Sequence, residues 1–213
     1  VDGDTSITAD TDDQIDIKIA GADDFKFSAN AMNVLSGSTL TIDSGATITN
    51  SGTANGFGGI TEVDQWRVTA NFTGDNTPIS SNWERVDGRA QSYFGTGMSQ
   101  SSGVFTFPST GFWLVRFTLG YYANNSANRT DFSIRTTIDN SSFTNVAISH
   151  IHGHSSDSGI SYQSASTETI IDVTDVSNVK VDFKNNDQDN SNTKLGDTNS
   201  NVTFATFIRL GDT

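Results

Sequence analysis

The sequence has no cysteine, which excludes disulfide scaffolds, zinc ribbons and thiol nucleophiles. The fold must therefore hold without covalent staples. Proline occurs only at Pro78 and Pro108, positions that fit strand ends. Leu, Glu, Lys and Met, the good helix formers, are scarce, so no segment reads as a helix. Only 17% of the residues are charged, and 12 Lys and Arg face 25 Asp and Glu, for a net charge of −13. A chain so poor in basic residues is a poor partner for nucleic acid or for an anionic membrane surface. No apolar run approaches the roughly 18–20 residues of a membrane span, so membrane insertion is not expected. The chain opens on Val1 and not on Met, without a secretory pattern, and reads as a processed or truncated piece of a longer protein.

The 213 residues are 34% hydrophobic, enough to bury a core but not one spread evenly along the chain. Polarity comes from Asn, Ser, Thr and Gly, unlike the charge-rich composition of a disordered tail. The composition shifts near residue 60. Residues 1–64 hold 11 acidic and 2 basic residues, residues 65–213 hold 14 and 10, and all three tryptophans (Trp66, Trp83, Trp113) lie in the second part. The run Ser51-Gly52-Thr53-Ala54-Asn55-Gly56-Phe57-Gly58-Gly59 is a flexible joint. Three segments follow: residues 1–56, a glycine-rich joint over 57–64, and a domain over 65–213.

In the first segment apolar residues recur two apart between turn residues. Ile15/Ile17/Ile19, Phe25/Phe27, Leu40/Ile42 and Ala46/Ile48, with the adjacent Val34/Leu35 among them, are separated by Gly21-Ala22-Asp23-Asp24, Gly37, Asp43-Ser44-Gly45 and Asn50-Ser51-Gly52. This spacing predicts short strands and tight turns. Each strand offers two or three inward residues, too few for one chain to bury a core. Three chains wound together would bury one, so residues 1–56 are expected to form an intertwined trimeric β-shaft. A small monomeric meander, or a linker ordered by a partner, is the alternative.

Residues 65–213 read as all-β. Strands are expected at 66–72, 103–108, 112–122, 131–138, 145–151, 160–164, 168–173, 179–183 and 202–210, separated by Gly, Asn, Asp and Ser clusters, a spacing typical of a sandwich or barrel. Trp66, Phe105, Phe107, Phe112, Trp113, Phe117, Phe132, Phe183, Phe204 and Phe207 are core candidates, and alternation should turn some of them outward.

The stretch Gly103-Val104-Phe105-Thr106-Phe107-Pro108-Ser109-Thr110-Gly111-Phe112-Trp113-Leu114-Val115-Arg116-Phe117 resembles the signature stretch of complement C1q-type globular heads: a strand, a Pro-x-x-Gly corner and a long aromatic-rich strand. The ending Val202–Leu210 is similar to that family's last strand. The resemblance covers roughly residues 65–213 and implies a ten-stranded jelly roll of the tumour-necrosis-factor type, assembled as a homotrimer. There is no Gly-x-y repeat of a collagen stalk. Asp4–Ile15 instead resembles segments of marine bacteriophage fibre and tail proteins. Together these imply a virion structural fibre on the outside of a particle. The N-terminal end would hold other virion proteins, and the distal knob would recognise a bacterial surface receptor or polysaccharide. A capsid or tail decoration fibre without a specific receptor, or a glycan-cleaving tailspike, is the alternative.

In such a head successive loops alternate between the two ends. One end has the short loops at 139–142 and 174–178. The other has the long, Asn-rich segments 74–82, 123–129, 152–159 and 185–200, and long loops in a compact domain carry function or are disordered. Candidate binding residues there are Asn124, Asn125, Asn128, Arg129, His152, His154, Asn186, Asp187, Asp189 and Asn192, with the hydrogen-bonding variety of binding loops. His150, His152 and His154 alternate, so on a strand they share a face, and neutral imidazole is a common transition-metal ligand. In a trimer one such position near the axis would supply three nitrogens. Asp187 and Asp189, in an oxygen-rich run, are candidates for calcium at the apex, although the spacing lacks the Gly at position six and Glu at position twelve of a helix-loop-helix site. No cofactor is otherwise expected. Catalysis is not expected either: there is no G-x-S-x-G, H-E-x-x-H or P-loop, and no carboxylate pair stands out among Glu62, Glu84 and Glu168 for glycoside hydrolysis. The sequons at Asn71, Asn124, Asn128, Asn140 and Asn201 are explained by the abundance of Asn, Ser and Thr. Trp83, Tyr93 and Phe94 could stack on a sugar, but burial at a subunit interface is the simpler expectation.

Overall fold

The computed structural model describes residues 6–11, 14–20, 22–28, 31–49, 59–123, 128–153, 161–188 and 192–213. The chain divides into two compact units, Val1–Asn55 and Gly56–Thr213. Every regular element among the described residues is a strand.

Unit 1 holds β1 (Ser6–Thr11), β2 (Gln14–Ile19), β3 (Ala22–Ser28) and β4 (Ala31–Val34), an antiparallel meander in sequence order. The period-two pattern sets the register. Ile7, Ile17, Phe25 and Val34 lie opposite one another in one cross-strand row, and Ile15, Phe27 and Met32 form the next. None of these side chains is buried, and Ile7 is 74% exposed. The strands expected at Leu40/Ile42 and Ala46/Ile48 do not pair with other described residues. Residues 36–49 instead contain two Ser-Gly turns, closed by Ser38 N–H to Leu35 O and by Ala46 N–H to Asp43 O, both at 3.0 Å. Leu40, Ile42 and Ile48 between and after these turns are exposed.

Unit 2 is a jelly roll of two packed antiparallel sheets. Its strands are β5 (Val63–Val68), β6 (Trp83–Arg85), β7 (Ser99–Ser101), β8 (Val104–Thr106), β9 (Gly111–Ala123), β10 (Asn128–Thr137), β11 (Thr144–Gly153), β12 (Ser161–Val173), β13 (Lys180–Asp187), β14 (Thr193–Lys194) and β15 (Phe204–Gly211). One sheet has the order β12-β9-β15-β5-β6, with β14 also paired to β9; the other runs β11-β10-β13-β8-β7. The two strands expected at 160–164 and 168–173 are one, β12, and β6, β7 and β14 were not foreseen. β7 and β8 turn at Ser102 and Gly103, both at positive φ (50° and 83°), as a two-residue hairpin requires. A Cβ on Gly103 would come within 2.2 Å of the Ile79 carbonyl, so only glycine fits.

The core lies between the sheets. Phe117 stacks on Phe183 at 4.6 Å, and Phe105 meets Phe183 at 5.4 Å, Phe207 at 5.3 Å and Trp83 at 5.1 Å. All four phenylalanines are sealed from solvent, each worth about 1.5–3 kcal/mol in burial. Trp83 packs inside and donates Nε1–H to the Ile79 carbonyl at 2.7 Å, so it is not a sugar platform. Of the expected core aromatics, Phe112 and Phe204 alternate to the outer face of the β9 sheet.

Candidate functional site

The strand registers bring the ends that bound the long connections together. Ala123 pairs with Ser161, Asn128 with Gly153 and Thr130 with Asp187. The connection from β5 to β6 reaches the same end, where Phe72 bridges to Lys194 and Asn76 to Asn185. Asn124, Asn125, His154 and Asp189 lie outside the described residues, as does the side chain of Asn128.

Asp187 and Asn192 are not surface groups, as a loop over 185–200 would have made them. The inward alternation of Val181 and Phe183 continues through Asn185 to Asp187, so β13 runs into the end of the core. There Asp187 and Lys194 form an ion pair at 2.7 Å, with both side chains 0% exposed. Lys194 Nζ also donates to the carbonyls of Gly74 (3.0 Å) and Asn192 (3.2 Å). Asp187 accepts from Thr130 Oγ1 (3.2 Å), from the Asn192 side chain (2.6 Å) and from the Asn192 backbone N–H (3.0 Å). Two connections far apart in sequence are thus tied by one ammonium group. Both carboxylate oxygens of Asp187 are thus engaged by the ammonium, by Thr130 and by Asn192. Fully paired buried charges of this kind are costly to break singly, at about 3–5 kcal/mol.

The outward residues of β10, β11 and β13 form a second group. Asp131 faces His150 on one side and Asn186 on the other, and Arg129 faces His152. Asp131 accepts from Arg129 Nε at 2.8 Å, and His150 Nδ1 lies 2.6 Å from its Oδ1. His150 and His152 share the exposed face of β11, as alternation requires. Among the described residues no three His, Asp or Glu side chains converge as a metal-binding group. Four residues beyond Asp131, Arg135 clasps Asp182 through two hydrogen bonds of 2.8 and 2.6 Å. Burial pushes the Asp182 carboxyl up, against the pull of Arg135.

A third feature is the outer face of the β9 sheet, which sequence reasoning did not resolve residue by residue. Val63, Ile208, Leu114 and Ile170 form one row across four strands, and Gln65, Thr206, Arg116 and Glu168 form the next. Phe204 and Thr118 follow, and Tyr122 and Tyr162 pair their rings at 5.6 Å near the end of the sheet. Ile170 is 60% exposed and Tyr162 67%.

The jelly roll is similar to solved structures of tumour-necrosis-factor proteins. The Eiger TNF of S. frugiperda is 12% identical, with a TM-score of 0.53, over 71% of this chain and 93% of that chain. Murine APRIL, solved at pH 8.5 and at pH 5.0, is 14% identical over 70% of this chain and 98% of that chain, with TM-scores of 0.48 and 0.49. At such identities the likeness establishes the fold alone, and for that purpose the Eiger match suffices. No family model matches the chain, and no curated protein does.

Proposed function

We propose that the chain is a homotrimeric fibre or spike segment of a bacteriophage particle, a binding protein and not an enzyme, whose jelly-roll head recognises a ligand on the bacterial surface. The observation that carries the reading is the outer face of the β9 sheet. Its row Val63–Ile208–Leu114–Ile170, extended by Phe94, Phe112 and Leu210, is apolar and solvent-facing in a single chain. A contiguous patch of this kind on a small domain marks an interface. Beside it Arg116 and Glu168 offer charges of both signs, so a second copy can supply the partner of each. Unit 1 supports the same reading. One face of its meander is apolar and uncovered, and residues 39–42 and 47–49 make no backbone hydrogen bonds to other described residues. Extended segments with unmet backbone groups gain most from a neighbouring chain.

A trimer would leave the long connections of unit 2 grouped at one end of each head, the arrangement of a binding tip. The N-terminal end would hold other virion proteins. The test is binding of labelled full-length chain to bacterial strains that differ in surface polysaccharide, with Leu114→Asp as the assembly-defective control. Strain-selective binding that the control loses is expected. Equal binding to every strain, or none to any, would leave a decoration fibre as the better account. Shortening of the polysaccharide during the assay would instead make the chain a depolymerase.

A further inference from the structure

The outer face of β10, β11 and β13 holds an open pocket of about 170 Å³. Asp131, Ser133, Asn145, Ile148, Lys184 and Asn186 line it, with His150 at the rim. The register explains the grouping: Asp131 lies between His150 and Asn186, and Ser133 lies between Ile148 and Lys184. Alternation sends Asp131, Ser133, Ile148, His150, Lys184 and Asn186 to the outer face, and the register shift at Val146 brings Asn145 there too, while Phe132 and Ile134 fill the core.

We infer that this pocket binds a carboxylate-bearing sugar unit of a surface polysaccharide. Charge points to the class. Asp131 is paired with Arg129, so its negative charge is already matched. Lys184 lines the same pocket and has no ion-pair partner among the described residues. A cationic pocket on a chain of net charge −13 selects an anion. The remaining lining selects a sugar: Ile148, 53% exposed, offers an apolar floor for a ring's C–H face. Asn145 and Asn186 offer hydrogen bonds to hydroxyls. Ser133 Oγ donates to Asn145 Oδ1 at 2.9 Å, which fixes that amide and aims its N–H donors away from the serine. Lys184 would pair the carboxylate. The inference rests on the receptor-binding reading and names its ligand chemistry and place, on the flank of the sheet and not in the loops.

The test uses the full-length chain on an array of oligogalacturonate, oligoguluronate and sialyllactose, each beside its carboxyl-reduced neutral counterpart. At least one acidic member should bind in preference to its counterpart. Lys184→Ala, a surface change expected to fold normally, should weaken that binding about tenfold, the scale of one lost charged hydrogen bond. Asn186→Ala should weaken it several-fold, and Arg89→Ala, which removes an exposed cation outside the pocket, should leave it unchanged. No acidic preference anywhere on the array overturns the inference. So does preference that survives Lys184→Ala, or that Arg89→Ala reduces equally. In either case strain-selective binding to whole cells would still uphold the receptor-binding reading, and its loss would bring down both.

Discussion

Unit 1 sets Ile7, Ile17, Phe25 and Val34 in one cross-strand row and buries none of them, whereas unit 2 brings Phe105, Phe117, Phe183 and Phe207 together and seals all four from solvent. Both units use the same local code, period-two alternation punctuated by Gly, Asn and Asp. The difference lies in what each sheet finds to cover its apolar face. Unit 2 has a second sheet of its own. Among the described residues unit 1 has a single sheet of four short strands and a turn-rich extension, so its apolar rows stay uncovered in one chain. Under the proposed assembly, stability in unit 2 is a property of one chain and in unit 1 a property of the assembly.

The comparison breaks most sharply at the core. Phe183→Ala should cost unit 2 about 3–5 kcal/mol, because it opens a cavity among Phe105, Phe117 and Phe207. Ile7→Ala should change the stability of unit 2 by less than about 0.5 kcal/mol and should act instead on association. Denaturant melts monitored by tryptophan fluorescence check both, since all three tryptophans lie in unit 2. Equal losses from the two substitutions would erase the distinction.

The polar end of the unit 2 core makes a comparably specific demand. Lys194→Ala leaves Asp187 buried without its counter-charge and should cost about 3–5 kcal/mol. A chelator should leave the melting temperature where it is, since the Lys194 ammonium ties the 69–82 connection to β13 and β14. A large downward shift with chelator would show that a metal supports the head after all.

The smallest effect is with pH. Asp139 accepts hydrogen bonds from the Ser142 N–H, the Thr137 hydroxyl and the Ser141 N–H, in that order of weight, and its carboxyl is held down from the ordinary 3.8 to about 2. The turn aspartates Asp175, through the Ser177 N–H, and Asp197, through the Asn199 N–H, are lowered in the same way. A carboxyl lowered by folding contributes stability that is full above its unfolded value and is lost as pH falls toward the folded one. Melting temperature should therefore fall between about pH 4 and pH 2, and Asp139→Asn should flatten part of that slope. An unchanged slope in the variant would remove Asp139 from the account.

Much of the jelly roll is legible in the sequence because β8, β9, β10, β13 and β15 carry a two-residue step of inward apolar residues, such as Trp113, Val115, Phe117 and Leu119, or Val181 and Phe183, between turn-rich segments. The rest is hidden for identifiable reasons. β12 is an edge strand, and of its residues only Ile171 and Val173 are buried. Its first half therefore lacks the apolar alternation that marks a strand, and it reads as two. Lys194 and Asp187 look like loop residues because their burial depends on each other and on the Gly74 carbonyl, a partner 120 positions from Lys194. The signal that could have found Asp187 is the unbroken two-residue step Val181, Phe183, Asn185, Asp187. Trp83 stands alone in a polar stretch, where nothing local marks it as core. Of the candidate site, the sharing of one face by His150 and His152 follows from spacing, but the company of Asp131, Lys184 and Asn186 needs the strand order.

The most direct test of the central claim is the native mass of the full chain by light scattering, beside that of Leu114→Asp. The account predicts about three times 22.8 kDa for the wild type and a shift toward a single chain for the variant. A stable wild-type monomer of 22.8 kDa would contradict it, leaving the apolar rows of both units without the partner on which the account depends.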